Sequence, residues 1–210
     1  VGVVTNGYWA TDVEDAAAWL QPFEGVIQAL SVSSDLYHGD EMLSQQARNA
    51  TEAAKQLGVP LGTISVAQPD ERDASLDPLM FRGRAAETLA LRAPHHPWQT
   101  FTECPYEDLS DPGRVHIDPL GNVHLCQGIS LGNLFCRPLM ELQATYEPDA
   151  HPIVGPLLSG GPAGLARRYA TPHETTYADA CHLCYQARVG LRKRFPDILT
   201  PDQMYGRYGA

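Results

Sequence analysis

The chain has no apolar run long enough to cross a bilayer, no stretch that reads as a signal peptide, and no block of lysine and arginine. The first two absences argue against a helical membrane span and a secreted chain. The third, with a formal net charge of −10, argues against a broad nucleic-acid surface, which needs clustered cations. Neither a membrane nor a nucleic acid is therefore expected as a partner. No internal repeat or low-complexity tract occurs, so a solenoid is not indicated. Cysteines are few and odd in number, five in 210 residues, which excludes a fully paired disulfide framework. Two of them stand as Cys181-His182-Leu183-Cys184. In a cytoplasmic chain, the expected setting, that spacing favours metal or redox chemistry.

What remains is a chain that is 43% hydrophobic, long enough for one domain or one and a half and for a real core. Residue 1 is Val, and Val1-Gly2-Val3-Val4-Thr5 already reads as a buried strand. The expectation is a chain cut upstream of that strand.

The first half alternates strand and helix. Asn6-Gly7 turns the chain. Asp12 is placed to cap a helix with Val13, Ala16, Ala17 and Leu20 on one face, and Pro22 ends it. Residues 26–33 form a second strand. A second helix starts near Asp40, carries Leu43, Ala47, Ala50, Ala54 and Leu57 at helical spacing, and closes at Gly58. Residues 61–66 form a third strand, and a third helix spans roughly residues 76–91. This order implies βαβ units on a parallel sheet, with ligands beyond the carboxyl ends of the strands. Those ends carry Asn6, residues 33–35 and His38, residue types that also serve as ordinary turn and cap residues.

A proline-rich boundary falls at residues 92–97, dividing the chain into residues 1–93 and 94–210. Beyond it, Val115 and Ile117 alternate with polar residues, Asp118-Pro119-Leu120-Gly121 supplies turn chemistry, and Val123 and Leu125 alternate again up to Cys126. That is a hairpin signal. A short helix is expected over residues 139–146. Residues 148–162, rich in Gly and Pro, read as loop. A last helix begins near Asp179 and carries Cys181, Cys184 and Arg188.

Four thiolates can hold an iron–sulfur cluster or a zinc ion. Cys181 and Cys184 lie in the first turn of a predicted helix, whose free N–H groups favour anionic sulfur. Cys126 at a strand end and Cys104 ahead of the hairpin supply the other two, with Cys136 the spare that can replace one. Zinc is the rival metal, because His116, His124 and His182 stand close to the cysteines in sequence. A thioredoxin-like pair is disfavoured by the late position of the C-x-x-C motif.

Thr5-Asn6-Gly7 after a strand, Ser33-Ser34-Asp35 ending the next, and Gly83-Arg84-Ala85 resemble the later part of a radical S-adenosylmethionine (SAM) barrel. Cys104, the G-x-x-x-x-C of residues 121–126, Leu131-Gly132-Asn133 and the late C-x-x-C resemble that superfamily's auxiliary cluster domain, of the SPASM or shorter twitch type. The resemblance implies an α/β fold: a partial radical SAM (β/α) barrel followed by a small cysteine-rich α+β domain binding an auxiliary 4Fe-4S cluster through Cys104, Cys126, Cys181 and Cys184. It implies Asn6, Ser33, Asp35 and Arg84 near SAM, and places His38 toward the substrate. It further implies a peptide or small-molecule substrate and an electron donor such as ferredoxin or flavodoxin. The C-x-x-x-C-x-x-C loop that cleaves SAM and the Gly-Gly-Glu motif are absent from this sequence, and the SPASM cysteine pattern is incomplete. One auxiliary cluster, and no activity in this chain alone, are the expectations. The competing expectation is a non-catalytic module stapled by zinc or a cluster.

Overall fold

Strands followed by amphipathic helices are what the alternating first half dictates, and the computed structural model delivers them. It describes residues 2–33, 44–70 and 76–206. The chain divides into two compact units, Val1–Leu79 and Met80–Ala210.

In the first unit, β1 (Gly2–Thr5), β2 (Ala29–Ser33) and β3 (Leu61–Ile64) form one sheet in the order β1-β2-β3. Both pairings are parallel, with Thr5 opposite Val32 and Ser33 opposite Ile64. The helices α1 (Val13–Leu20) and α2 (Gln45–Gln56) fill the two crossovers. Asp12 caps α1 as its position implies, its carboxylate accepting from the Asp15 N–H at 2.8 Å. Ser44 caps α2 by accepting from the Ala47 N–H at 3.2 Å. Asp40 and Leu43, which the sequence suggested for that end, lie outside the described residues. β2 begins later than the apolar run at Val26, because Gly25 (φ +74°) turns the chain and Val26 and Ile27 both donate back to the Phe23 carbonyl.

The core of this unit is built on small residues. Ala47, Ala50, Ala53 and Ala54 of α2 pack with Ala16 and Leu20 of α1 and with Leu30 and Val32 of β2. Their size lets backbones approach closely. Gly7 (φ +72°) shows how closely, since a Cβ there would sit 2.9 Å from the Ala47 Cα. Buried Asn49 ties α2 to the start of α1, its amide donating to the Ala10 and Thr11 carbonyls at 3.0 Å each.

The second unit opens with α3 (Arg84–Thr88), shorter than the helix expected over residues 76–91. Asp77 instead bridges Val66, and residues 78–83 have no regular structure. The division also falls before α3 and not at residues 92–97. The cause is packing: Ala86 belongs to the core of the second unit, and Glu87 accepts from the Tyr185 hydroxyl at 3.2 Å.

Next come β4 (His96–Pro97), β5 (His116–Ile117), β6 (Asn122–Cys126), β7 (Ile129–Asn133), α4 (Leu139–Ala144), α5 (Val154–Tyr169), β8 (Thr176–Tyr177) and α6 (Ala180–Leu191). β5, β6 and β7 form an antiparallel sheet, and β4 pairs with β8. The expected hairpin is present, with His116 opposite His124 and Ile117 opposite Val123.

Residues 148–162 are the main departure. They were expected as loop, yet α5 begins at Val154 and continues through Gly155, Pro156, Gly160, Gly161 and Pro162. Pro156 sits in the first turn, where no intrahelical donor is needed. Gly160 and Gly161 leave helical geometry, and Pro162 then opens the second half of the helix as it would open a new one. The Gly and Pro content therefore marks a kink and a helix start.

Turn chemistry holds the hairpin. Asp118 is 9% exposed and accepts from the N–H groups of Leu120 (2.9 Å) and Asn122 (3.0 Å), the Asn122 amide (2.9 Å) and His124 Nε2 (3.0 Å). Burial alone would raise its pKa, but these hydrogen bonds from Asn122, His124 and the backbone outweigh it and hold the carboxyl below its ordinary value. A depressed folded pKa gives stability that is present above the unfolded pKa of about 3.9 and lost as pH falls through the folded one. Asp118→Ala is expected to cost about 2–4 kcal/mol at pH 7, by leaving the hydrogen-bond donors unpaired. The difference from wild type should shrink below about pH 4. Urea midpoints at both pH values measure this, and equal midpoints at pH 7 would contradict it.

Candidate metal centre

Three separate elements bring the cysteines to one place. Cys126 is the last residue of β6, and Cys181 and Cys184 lie in the first turns of α6. Asp179 caps α6 by accepting from the His182 N–H at 2.7 Å. Cys104 follows a segment tied to α5, since the Ala163 N–H donates to the Phe101 carbonyl at 3.0 Å. Cys104, Cys126, Cys181 and Cys184 all line one cleft, together with Arg82 and Arg188. All five cysteines are free thiols. Cys136 is exposed and is not among the residues lining this cleft.

The four cysteines of the cleft are half-buried. Burial, followed by the nearby Asp179, Cys184 and Cys126, pushes the Cys181 thiol well above its ordinary range. Burial pushes Cys184 up to about 11, against the lowering effect of Arg188. Without metal these thiols hold their protons at neutral pH. A bound metal would displace them, because the ligand is the thiolate.

Two cations stand against the sulfurs. Arg82 Nη1 donates to Cys126 Sγ at 3.5 Å. Its segment is anchored to α6 by the Phe81 N–H, which donates to Asp179 at 3.3 Å. Arg188 is 2% exposed, its Nη1 donating to the Gln127 carbonyl at 2.7 Å and its Nε to the Cys184 carbonyl at 3.4 Å. The ionisable groups acting on it most are Tyr205 and the cysteines Cys184, Cys126 and Cys181. Tyr205 is kept protonated by its own burial and donates to the Gly128 carbonyl at 2.6 Å. The remaining ionisable neighbours of Arg188 are thus the cysteines, which would become its counter-charge only as thiolates on a bound metal.

The three histidines near the cysteines in sequence have other partners. His124 is 0% exposed and bound to Asp118. His116 faces Glu107 at 3.7 Å. His182 Nδ1 accepts from the Ala178 N–H at 3.3 Å, and burial lowers its pKa to about 4. Among the described residues, no three Cys, His, Asp or Glu side chains are placed to hold one metal ion.

The residues expected near SAM fall in both units, or outside the described residues. Ser33 ends β2 and Asn6 follows β1, so both lie at the carboxyl edge of the parallel sheet. Asn6 accepts from the Tyr8 N–H at 3.2 Å, as a turn residue does. Arg84 is the exposed first residue of α3 and belongs to the other unit. Asp35 and His38 lie outside the described residues. Sequence reasoning gave no role to Arg82 or Arg188. The available signal for Arg188 was its place four residues after Cys184, on the same helical face; Arg82 offered none.

Among the described residues, no helix is long and apolar enough to cross a membrane. No protein-family model matches the chain, and no curated protein matches its sequence.

Proposed function

We propose that the chain is the carboxyl-terminal portion of a cytoplasmic radical SAM enzyme, holding an auxiliary 4Fe-4S cluster on Cys104, Cys126, Cys181 and Cys184. The observation that carries this reading is the convergence of four free thiols from three elements on one cleft with two arginines. Such a cluster, when bound, supplies one-electron redox capacity. The chain's own part is to hold four thiolates, to bury them, and to balance their charge with Arg82 and Arg188.

A 4Fe-4S cluster and a tetrahedral zinc ion both take four thiolates. The choice of a cluster rests on the family resemblance, and a zinc-stapled module is the alternative.

For the first unit, support comes from its parallel sheet, whose carboxyl edge carries Asn6 and Ser33 where a small cofactor such as SAM would sit. Arg84 is the further SAM candidate. The proposed barrel is the expectation of the family resemblance, as are the peptide or small-molecule substrate and a ferredoxin- or flavodoxin-type donor. Lacking the C-x-x-x-C-x-x-C loop, this chain is expected to be inactive alone.

Anaerobic purification tests the reading. The protein is expected to be brown, with a broad visible absorbance that dithionite bleaches. Colourless protein with stoichiometric zinc would replace it with a zinc-stapled module.

A further inference from the structure

The two arginines do more than fill the walls of the cleft. Arg82 reaches a ligand sulfur directly, at 3.5 Å from Cys126 Sγ. Arg188 lies buried beside Cys184, one helical turn further along α6. One carboxylate opposes them nearby: Asp179, which faces Cys181 and Arg82 and is fixed by the N–H groups of His182 and Phe81. The other ionisable neighbours are phenols. Burial keeps Tyr106 and Tyr205 protonated. Among the described residues, the fixed charge around the sulfurs is therefore net positive, two guanidinium groups against one carboxylate.

From this geometry, and resting on the cluster reading above, we infer that Arg82 and Arg188 are positioning residues that tune the redox potential of the bound group, by favouring its reduced, more negative state. Reduction adds one electron and no proton, so the whole added charge falls on a site of low dielectric. A guanidinium cannot discharge itself, and it stabilises added negative charge in proportion to its closeness. A hydrogen bond to a ligand sulfur acts in the same direction. The arrangement deepens the proposed role toward electron acceptance, with electrons coming from a low-potential one-electron donor of the ferredoxin or flavodoxin class.

The test is a dithionite redox titration of the anaerobic protein, followed by its visible absorbance and by electron paramagnetic resonance. Iron and sulfide are counted on the same samples. Arg82→Gln removes the cation from a half-buried position without emptying the core. It is expected to keep its iron and sulfide while its reduction equilibrium constant falls about tenfold, or 59 mV for one electron. Arg188→Lys keeps a charge but loses the planar fork and is expected to shift the same way by less. Arg167→Gln, on an exposed residue at the end of α5, should match wild type. An unchanged potential in Arg82→Gln at full cluster content overturns the inference and leaves the cluster assignment standing. Wild-type protein without iron and sulfide overturns both. If Arg188→Lys fails to fold, the Arg82→Gln result decides alone.

Discussion

Gly161→Ala is expected to strip metal from the site without touching a ligand. Gly161 combines φ +59° with ψ −159°, a region open essentially to glycine alone, where an L side chain costs about 1–3 kcal/mol. A Cβ there would overlap the backbone of Thr102 and Glu103 and lie 2.7 Å from the Phe101 carbonyl oxygen. Backbone on both sides cannot yield as a flexible side chain can, and forced shifts add about 1–3 kcal/mol. The displaced segment, residues 101–103, leads straight into Cys104. The variant should melt about 10 °C lower, from about 3–4 kcal/mol at 2–4 °C per kcal/mol. It should also hold less than half of its iron. Gly160→Ala is the control, because φ is −169° and nothing lies within 4 Å of the added methyl. Normal iron and melting temperature in Gly161→Ala would show that this close approach does not place Cys104.

The second large effect separates the ligand cysteines from the spare. Cys126→Ser removes one of the sulfurs lining the cleft and leaves Arg82 without its partner. Losing a residue behind a ligand typically costs 10–100-fold in metal affinity, so losing a ligand should cost more than about 100-fold. Because metal binding free energy is also folding free energy, the hairpin sheet should lose stability with it. Cys136→Ser, exposed beyond β7, should change neither iron content nor stability. Iron analysis with thermal melts of the two variants measures this. Equal losses from both would mean that Cys136 belongs to the ligand set.

Local signals account for what was readable beforehand. Asp12 and Asp179 cap helices because a short acceptor before an apolar-periodic stretch has one obvious use, and both do so. Asp118-Pro119-Leu120-Gly121 forms the hairpin turn for the same kind of reason, with Gly121 at φ +81°. The cap at Asp179 and the turn at Asp118 set where Cys181, Cys184 and Cys126 stand along their elements, which is why spacing alone could offer them as candidates.

What could not be read depends on contacts between distant segments. Gly160-Gly161-Pro162 carries the local marks of a loop. The approach of residues 101–103 is what makes it a kink inside α5. Arg188 falls among the apolar positions of α6, and only the fold shows that its ionisable neighbours are Tyr205 and the cysteines Cys184, Cys126 and Cys181. The division into compact units falls upstream of the prolines because Ala86 and Glu87 pack on the second unit's core and on Tyr185.

The most direct measurement is a count of iron and acid-labile sulfide on anaerobically purified chain, repeated on Cys184→Ser. The account predicts about four of each per chain, the content of one 4Fe-4S cluster on four cysteines, lost together in the variant. One zinc per chain and no sulfide, or iron and sulfide undiminished in Cys184→Ser, would contradict it.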